Sequence, residues 1–318
     1  MKCFDPIKVP LTEKAREKRI RDPSLDITQR YATFVYVPCG KCSGCLMNKR
    51  SEWTFRLYNE VKNSESCFFI TLTYDDDKLP YSNKDGVIAP CVRKKDVQDF
   101  LKRLRFNIRP FKIRYFLVSE YGPKTLRPHY HMLLFNFPLI LQNKFDEYLN
   151  NSWKNGFTSV SKVTDAHINY VTSYCLDSSI LPKHLEKNFM LCSKRPYIGY
   201  SYCSSDSIRD YHSNSLATVG AVSQNGKVNF YRLPRIFKEN LYSEEQLHSI
   251  SHKNNEFYDG KRKDLLESQR RYIENKGYEV NEITLKTPYF GSPLFKEESK
   301  KIELRNKIMS KCKNKKNG

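Results

Sequence analysis

The chain has 318 residues, with 55 Lys plus Arg against 35 Asp plus Glu, a formal charge of +20 and 39% hydrophobic residues. That length and apolar content build one substantial core and a smaller second unit, which excludes a chain too polar to fold. No apolar run is long enough for a bilayer and the basic N-terminus has no secretory pattern, so the expectation is a protein without a membrane segment that works in the cytoplasm. The positive balance, interleaved with 21 Tyr and 19 Phe, points to a polyanionic partner whose bases stack on aromatic rings, as single-stranded nucleic acid does.

In chain order, residues 1–36 are charged and read as an irregular arm. Cys39, Cys42 and Cys45 then form Cys-x-x-Cys-x-x-Cys, with Gly40 and Gly44 allowing a tight backbone. In a chain without an export signal, this spacing suggests a structural zinc site, with a fourth ligand among Cys3, Cys67 or a histidine; a reduced Cys-rich turn is the alternative. Residues 46–62 read as a helix through Trp53, Leu57 and Val61, and Cys67 to Tyr74 as the clearest strand. Asp75, Asp76 and Asp77 suit a solvated turn, and residues 78–92 a loop. Lys94 to Phe106 repeats Val97, Phe100, Leu101 and Leu104 on one helical face.

Two strands are expected next, Ile113 to Ser119 and His129 to Phe135, joined by a Gly-Pro turn. His129 and His131 share one face of their strand, roughly 6.6 Å apart along the backbone, so both imidazoles can converge on one ion. Glu120, at the end of the preceding strand, returns beside them if the pair is antiparallel and adds an oxygen ligand. Two imidazoles and one carboxylate leave positions open, as a catalytic ion requires. Residues 141–150 suggest a short helix, 157–163 a strand, and Asp165 the cap of a helix burying Ile168, Val171 and Cys175. Tyr170 and Tyr174 stand four apart on that helix, so both hydroxyls reach one cleft. His167 lies on their side and is either a polarising group or a surface histidine.

The order Pro38-Cys-Gly-Lys-Cys-Ser-Gly-Cys45, Thr71-Leu-Thr-Tyr74, Glu120-Tyr-Gly122, Arg127-Pro-His-Tyr-His131 and Tyr170-x-x-x-Tyr174 resembles the replication initiators of microviruses, especially the gokushovirus branch, within the HUH endonucleases. The likeness runs from about Tyr36 to Phe237, including Pro196 to Tyr200 and the stretch from Gly226 to Phe237. It implies catalytic Tyr170 and Tyr174, a divalent metal (Mg or Mn) on Glu120, His129 and His131, and DNA contacts from Lys124 and Arg127. Histidines that precede a pair of tyrosines suit a replication protein better than a relaxase. The family commonly has basic residues around its tyrosines, whereas this chain reads Tyr170-Val-Thr-Ser-Tyr174-Cys-Leu-Asp; a phosphate-placing role would pass to Lys162, Lys183 or another group.

The expected fold is α+β, a central antiparallel sheet of the ferredoxin or RRM-like kind with helices on one face and the metal site on the other. The expected organisation is an N-terminal arm, Cys-rich segment and helix over 1–62, an HUH endonuclease core over 63–240, and a basic auxiliary region over 241–318 ending in Lys307, Lys311, Lys313, Lys315 and Lys316. The expected activity is nicking of a phage replicative-form origin, with a 5′-phosphotyrosine, a free 3′-OH and later circle closure. No Gly-x4-Gly-Lys-Ser/Thr phosphate loop is present, so unwinding falls to a host helicase working with a host polymerase. Two readings stand against this one: a non-catalytic zinc-dependent nucleic-acid-binding regulator, and a mobilisation relaxase.

Overall fold

The computed structural model describes residues 3, 6–22, 25, 27–122, 124–174, 181–224, 226–289, 291–300 and 302–303. Cys175 and the closing lysines lie outside them. The chain divides into two compact units, one of Met1–Cys45 with Tyr242–Gly318 and one of Leu46–Leu241.

The second unit is built on a five-stranded sheet. Its strands are β1 (Cys67–Tyr74), β2 (Arg114–Tyr121), β3 (Pro128–Phe135), β4 (Gly156–Lys162) and β5 (Met190–Cys192), in the order β4-β1-β3-β2-β5. Every pairing is antiparallel. β1 shows why the pattern was readable: Phe68, Ile70, Leu72 and Tyr74 are buried in strict alternation with half-buried neighbours. Helices α1 (Ser43–Lys62), α2 (Lys94–Asn107), α3 (Phe145–Ser152) and α4 (Asp165–Ser173) accompany the sheet.

Both faces are covered, which corrects the expectation of helices on one face only. Val97, Phe100, Leu101 and Leu104 of α2 and Phe145 and Leu149 of α3 pack on Ile70, Leu72, Leu117, Met132 and Leu134. On the opposite face, Trp53, Leu57 and Tyr58 of α1 and Ile168 and Val171 of α4 pack on Phe116, Val118, Leu133 and Phe135. The reason is in β3, where residues 130–135 are all buried and read as a two-sided apolar run. Each of these side chains contributes about 1.5–3 kcal/mol on leaving water.

Buried polar groups are paired. Glu60 on α1 forms an ion pair with Arg114 on β2 and accepts the Gly199 N–H at 2.7 Å, while Arg114 donates to the carbonyls of Pro196 at 2.9 Å and Tyr197 at 3.1 Å. This one cluster clamps the 196–199 loop against helix and sheet. Across the sheet, the Tyr74 hydroxyl meets Tyr130 at 2.9 Å and donates to Asp96 at 2.8 Å.

Two segments expected to be irregular are ordered. Residues 78–92 contain a hairpin, Tyr81–Lys84 with Val87–Pro90, turned by Asp85 and Gly86 at φ +55° and +78°. Asp-Gly supplies the two left-handed residues that a two-residue turn needs. Within residues 1–36, Ile7–Pro10 pairs with Phe34–Val37 around helix Glu13–Ile20, which Thr12 caps by accepting the Ala15 N–H. Past residue 241 the first unit contains a helix of 32 residues, Glu244–Asn275, with a capping box between Ser243 and Gln246.

Gly156 opens β4 at φ +150°, and a Cβ there would stand 2.4 Å from both the Asp75 nitrogen and the Thr73 carbonyl oxygen. Those are backbone atoms and cannot step aside. Gly156→Ala should therefore cost roughly 2 kcal/mol or more and lower the midpoint of thermal unfolding by roughly 4–8 °C. A melting curve followed by circular dichroism checks this, and an unchanged midpoint would contradict the close approach.

Candidate metal and tyrosine site

The register of the central strands brings the site residues to one end of one face. Glu120 on β2 is opposite His129 on β3, and Val118 is opposite His131; on the other side of β3, Thr73 and Thr71 of β1 stand opposite the same two histidines. The face therefore runs from apolar Phe116, Leu133 and Phe69 to polar Thr71, His131 and Glu120. Glu120 lies within β2 rather than in the turn after it, because β2 extends to Tyr121.

Each histidine is oriented by a threonine. His131 Nδ1 lies 3.1 Å from Thr71 Oγ1 and His129 Nδ1 lies 3.3 Å from Thr73 Oγ1. Holding Nδ1 in this way presents Nε2 to the open end of the face. His131 Nε2 lies 2.7 Å from Glu120 Oε2. His129 Nε2 lies beside Gly122, 3.4 Å from where a Cβ on that residue would stand. Glu120 and His131 are thus in contact, whereas His129 shares their face without closing a three-ligand cluster on them. Among the described residues, the group of three or more ligand atoms within 4.8 Å of one another is formed by Cys3, Cys39, Cys42 and Cys45. The donor set of one carboxylate and two outward Nε2 atoms, with the opposite ring nitrogens already engaged, fits a divalent ion with open positions.

Helix α4 delivers the tyrosines. Ile168 and Val171 anchor it in the core, and the buried Thr172 hydroxyl accepts from Thr54 at 3.2 Å. With that face fixed, Tyr170 projects over the polar end of the sheet. Its hydroxyl donates to Glu120 Oε2 at 3.0 Å and meets His131 Nε2 at 3.3 Å. Tyr174, at the C-cap of the helix, lies flat on the His131 ring, with centroids 6.0 Å apart and planes 16° from parallel. The two tyrosine rings meet edge to face at 5.1 Å.

The electrostatics follow from this crowding. Burial works to raise the Glu120 carboxyl, but hydrogen bonds with His131, Tyr174 and Tyr170 outweigh it and hold the group below the usual carboxylate range. Burial, with His131 and Arg127 adding to it against the pull of Glu120, lowers His129 and favours the neutral imidazole that a metal takes. Burial pushes the Tyr170 hydroxyl up to about 12; the Glu120 carboxylate adds to this and the hydrogen bond with Tyr174 relieves it only in part. Burial raises Tyr174 further, with hydrogen bonds to Glu120 and Tyr170 adding to it.

Other residues singled out in the sequence are placed differently. His167 caps its own helix, its Nδ1 accepting the Thr164 N–H at 3.2 Å, and stacks on Phe69 with centroids 4.3 Å apart. Thr164 is the N-cap, and Asp165 stands in the first turn. Arg127 spends its guanidinium on Asp76 and on the Tyr74 carbonyl at 2.6 Å, so any DNA contact from it would have to displace that pairing. Lys124 is exposed in the turn between β2 and β3. Lys162 pairs with Phe68 and faces away from Thr71 and Thr73. Sequence reasoning missed Lys49 of α1, which lines a cavity of about 90 Å³ with Ser119, Tyr174, Asn188 and Phe189. Nothing in the local sequence ties Lys49 to a tyrosine 125 positions later; the tie is made by packing.

A separate match covers part of this geometry. Residues 67–179, from β1 through the tyrosines, match the family model of the replication-associated protein ORF2. The replication-associated protein ORF2 of Spiroplasma virus 4 is 29% identical over 273 residues, 77% of this chain and 82% of that protein. The replication-associated protein VP4 of Bdellovibrio phage phiMH2K is 31% identical over 194 residues, 55% of this chain and 57% of its own. The replication-associated protein ORF4 of Chlamydia phage 1 is 26% identical over 251 residues, 72% and 59% respectively. The chain thus spans less than two thirds of the length of the last two relatives. Among solved structures, the N-terminal nuclease domain of minute virus of mice non-structural protein 1 aligns at 12% identity and a TM-score of 0.21 over 63% of this chain and 97% of that domain, too loosely to bear on the fold. With its matched segment framing the sheet, the histidines and the tyrosines, and with microvirus proteins as its relatives, the chain belongs to the ORF2 family of replication-associated proteins.

Proposed function

We propose that this protein initiates rolling-circle replication of a circular phage DNA as a divalent-metal-dependent HUH endonuclease and strand transferase. It nicks the origin of the replicative form, keeps the 5′ end as a phosphotyrosine, leaves a 3′-OH for a host polymerase and later closes the displaced strand into a circle. The observation that carries this reading is the Tyr170 hydroxyl, 3.0 Å from Glu120 and 3.3 Å from His131, a candidate nucleophile set against candidate ligands. The replication-associated relatives and the charge of +20 support it.

Glu120, His129 and His131 would hold a Mg or Mn ion, which when bound polarises the scissile phosphodiester and stabilises charge on its non-bridging oxygens. The rest falls to the chain. With its pKa pushed up to about 12, the Tyr170 phenol carries its proton at neutral pH and must lose it as the oxygen attacks. Glu120 Oε2, ionised and 3.0 Å away, is the nearest base to receive that proton. Attack forms the Tyr170–phosphorus bond and breaks the bond to the 3′-oxygen, which takes a proton from water. Because one phosphodiester replaces another, rejoining needs no nucleotide cofactor. Tyr174 then cleaves the regenerated origin while Tyr170 still holds the 5′ end, and the released 3′-OH closes the circle. Lys49, beside Tyr174, takes the phosphate-placing role that the stretch between the tyrosines lacks.

Supercoiled origin DNA incubated with the protein and Mn should yield nicked circles with protein attached. Absence of any covalent adduct with either ion would leave non-catalytic nucleic-acid binding as the reading, and cleavage confined to a transfer origin would favour a relaxase.

Three expectations refine the scheme. Tyr170→Phe should slow cleavage of an origin oligonucleotide at least tenfold more than Tyr174→Phe, while Tyr174→Phe should nick but fail to release closed circles; equal effects of the two would reject the order of attack. His131→Ala should abolish nicking and leave single-strand affinity within a few fold, since phosphate contacts supply most of that affinity. Thr71→Val, which frees the His131 ring, should raise the Mn concentration for half-maximal cleavage by roughly tenfold or more. Full nicking by His131→Ala, or an unshifted metal curve for Thr71→Val, would count against the ligand assignment. Lys49→Gln should lower the single-turnover cleavage rate about tenfold, in keeping with loss of one charge-assisted contact, without moving the metal curve; an unchanged rate would remove Lys49 from the scheme.

A further inference from the structure

Away from the tyrosines, four thiols meet in the first unit. Cys3 Sγ lies 3.5 Å from Cys39 Sγ and 3.7 Å from Cys42 Sγ, and Cys39 Sγ lies 4.0 Å from Cys45 Sγ. All four sulfurs fall within 4.8 Å of one another. Zinc bound by four thiolates at about 2.3 Å in a tetrahedron requires sulfurs about 3.8 Å apart, and the observed spacings bracket that value. A disulfide requires about 2.0 Å, so these are separate thiols held together.

The surrounding backbone is shaped for thiolates. The Cys39 N–H donates to Cys3 Sγ at 3.2 Å and the Cys42 N–H donates to Cys39 Sγ at 3.2 Å. Amide donors aimed at sulfur stabilise the charged form, which is the form a metal binds. Gly40, at φ +74°, makes the turn that folds Cys39 and Cys42 toward one point. Cys45 comes from the first turn of α1, and Cys3 arrives from 36 positions before Cys39. Cys67, which the sequence left in contention, instead directs its thiol to the Val61 carbonyl at 3.8 Å.

We infer that Cys3, Cys39, Cys42 and Cys45 bind one zinc ion in a closed, structural site, with Cys3 as the ligand that ties the extreme N-terminal segment to the start of α1. Four protein ligands leave no open position, so this ion takes no part in nicking. Binding replaces four thiol protons with the metal and releases them to the buffer. The ion closes the chain from residue 3 to residue 45, a span that holds the Ile7–Pro10 and Phe34–Val37 hairpin and its helices. A small, exposed segment of this kind lacks a core of its own: none of the four residues of the first hairpin strand is buried.

The test uses the full chain, purified in reductant without chelator. Metal analysis should give one zinc per chain, and X-ray absorption at the zinc edge of the wild-type protein should fit four sulfurs at about 2.3 Å. Cobalt exchanged into the site should show thiolate charge-transfer bands. Cys3→Ser should weaken those bands and lower zinc affinity at least tenfold in competition with a chromophoric chelator, whereas Cys67→Ser should match wild type. The absorption fit on unmodified protein stands even if Cys3→Ser folds poorly. Zinc-free protein, a shell containing nitrogen or oxygen in place of sulfur, or full affinity in Cys3→Ser would overturn the assignment. None of these readouts depends on nicking, so the site stands or falls apart from the endonuclease reading.

Discussion

Everything at the candidate site depends on the register between β2 and β3. With Glu120 opposite His129 and Val118 opposite His131, the carboxylate and both imidazoles share a face. A slip of one residue would turn Glu120 to the other side of the sheet, among Leu117, Met132 and Leu134, and separate it from the histidines. That slip is forbidden by packing. β3 is buried on both sides, and Phe116, Leu133 and Phe135 are committed to α1 and α4 while Tyr130, Met132 and Leu134 are committed to α2 and α3. The apolar core thus sets the geometry of the polar site.

A second consequence is electrostatic. Because the site lies at the edge of a helix-covered face, its groups are partly stripped of water, and the tyrosine hydroxyls are driven up while Glu120 is held ionised by the groups around it. In the proposed chemistry this contrast is useful: a base that stays charged stands against a phenol that stays neutral until attack. The phenol's reluctance to ionise would also protect the protein from idle reaction when no substrate is bound.

Much of the sheet and its helices was legible because burial repeats with the period of each element, as in β1 and in α2. The antiparallel return that sets Glu120 beside His131 was legible from the turn between two strong strands. Three features were not. The covering of both faces hides in β3, whose continuous apolar run carries no periodic sign of a second helix layer. The contacts of Lys49 with the Tyr174 cavity and of Cys3 with the other cysteines join positions far apart, which only the folded chain brings together. The role of His167 as a helix cap follows from Thr164 three residues earlier, an N-terminal signal that competes in the sequence with Asp165. The hairpin at Asp85-Gly86 was likewise signalled by its turn residues but masked by the polar character of the strands around it.

The most direct measurement of the central claim is a map of the phosphotyrosyl peptide. The protein is trapped on a suicide origin oligonucleotide that cannot be rejoined, digested, and the nucleotide-bearing peptide sequenced by mass spectrometry. The account predicts nucleotide on Tyr170 after the first cleavage and on Tyr174 once Tyr170 is already occupied. A nucleotide found on neither residue, or on a tyrosine away from Glu120 and His131, would contradict it.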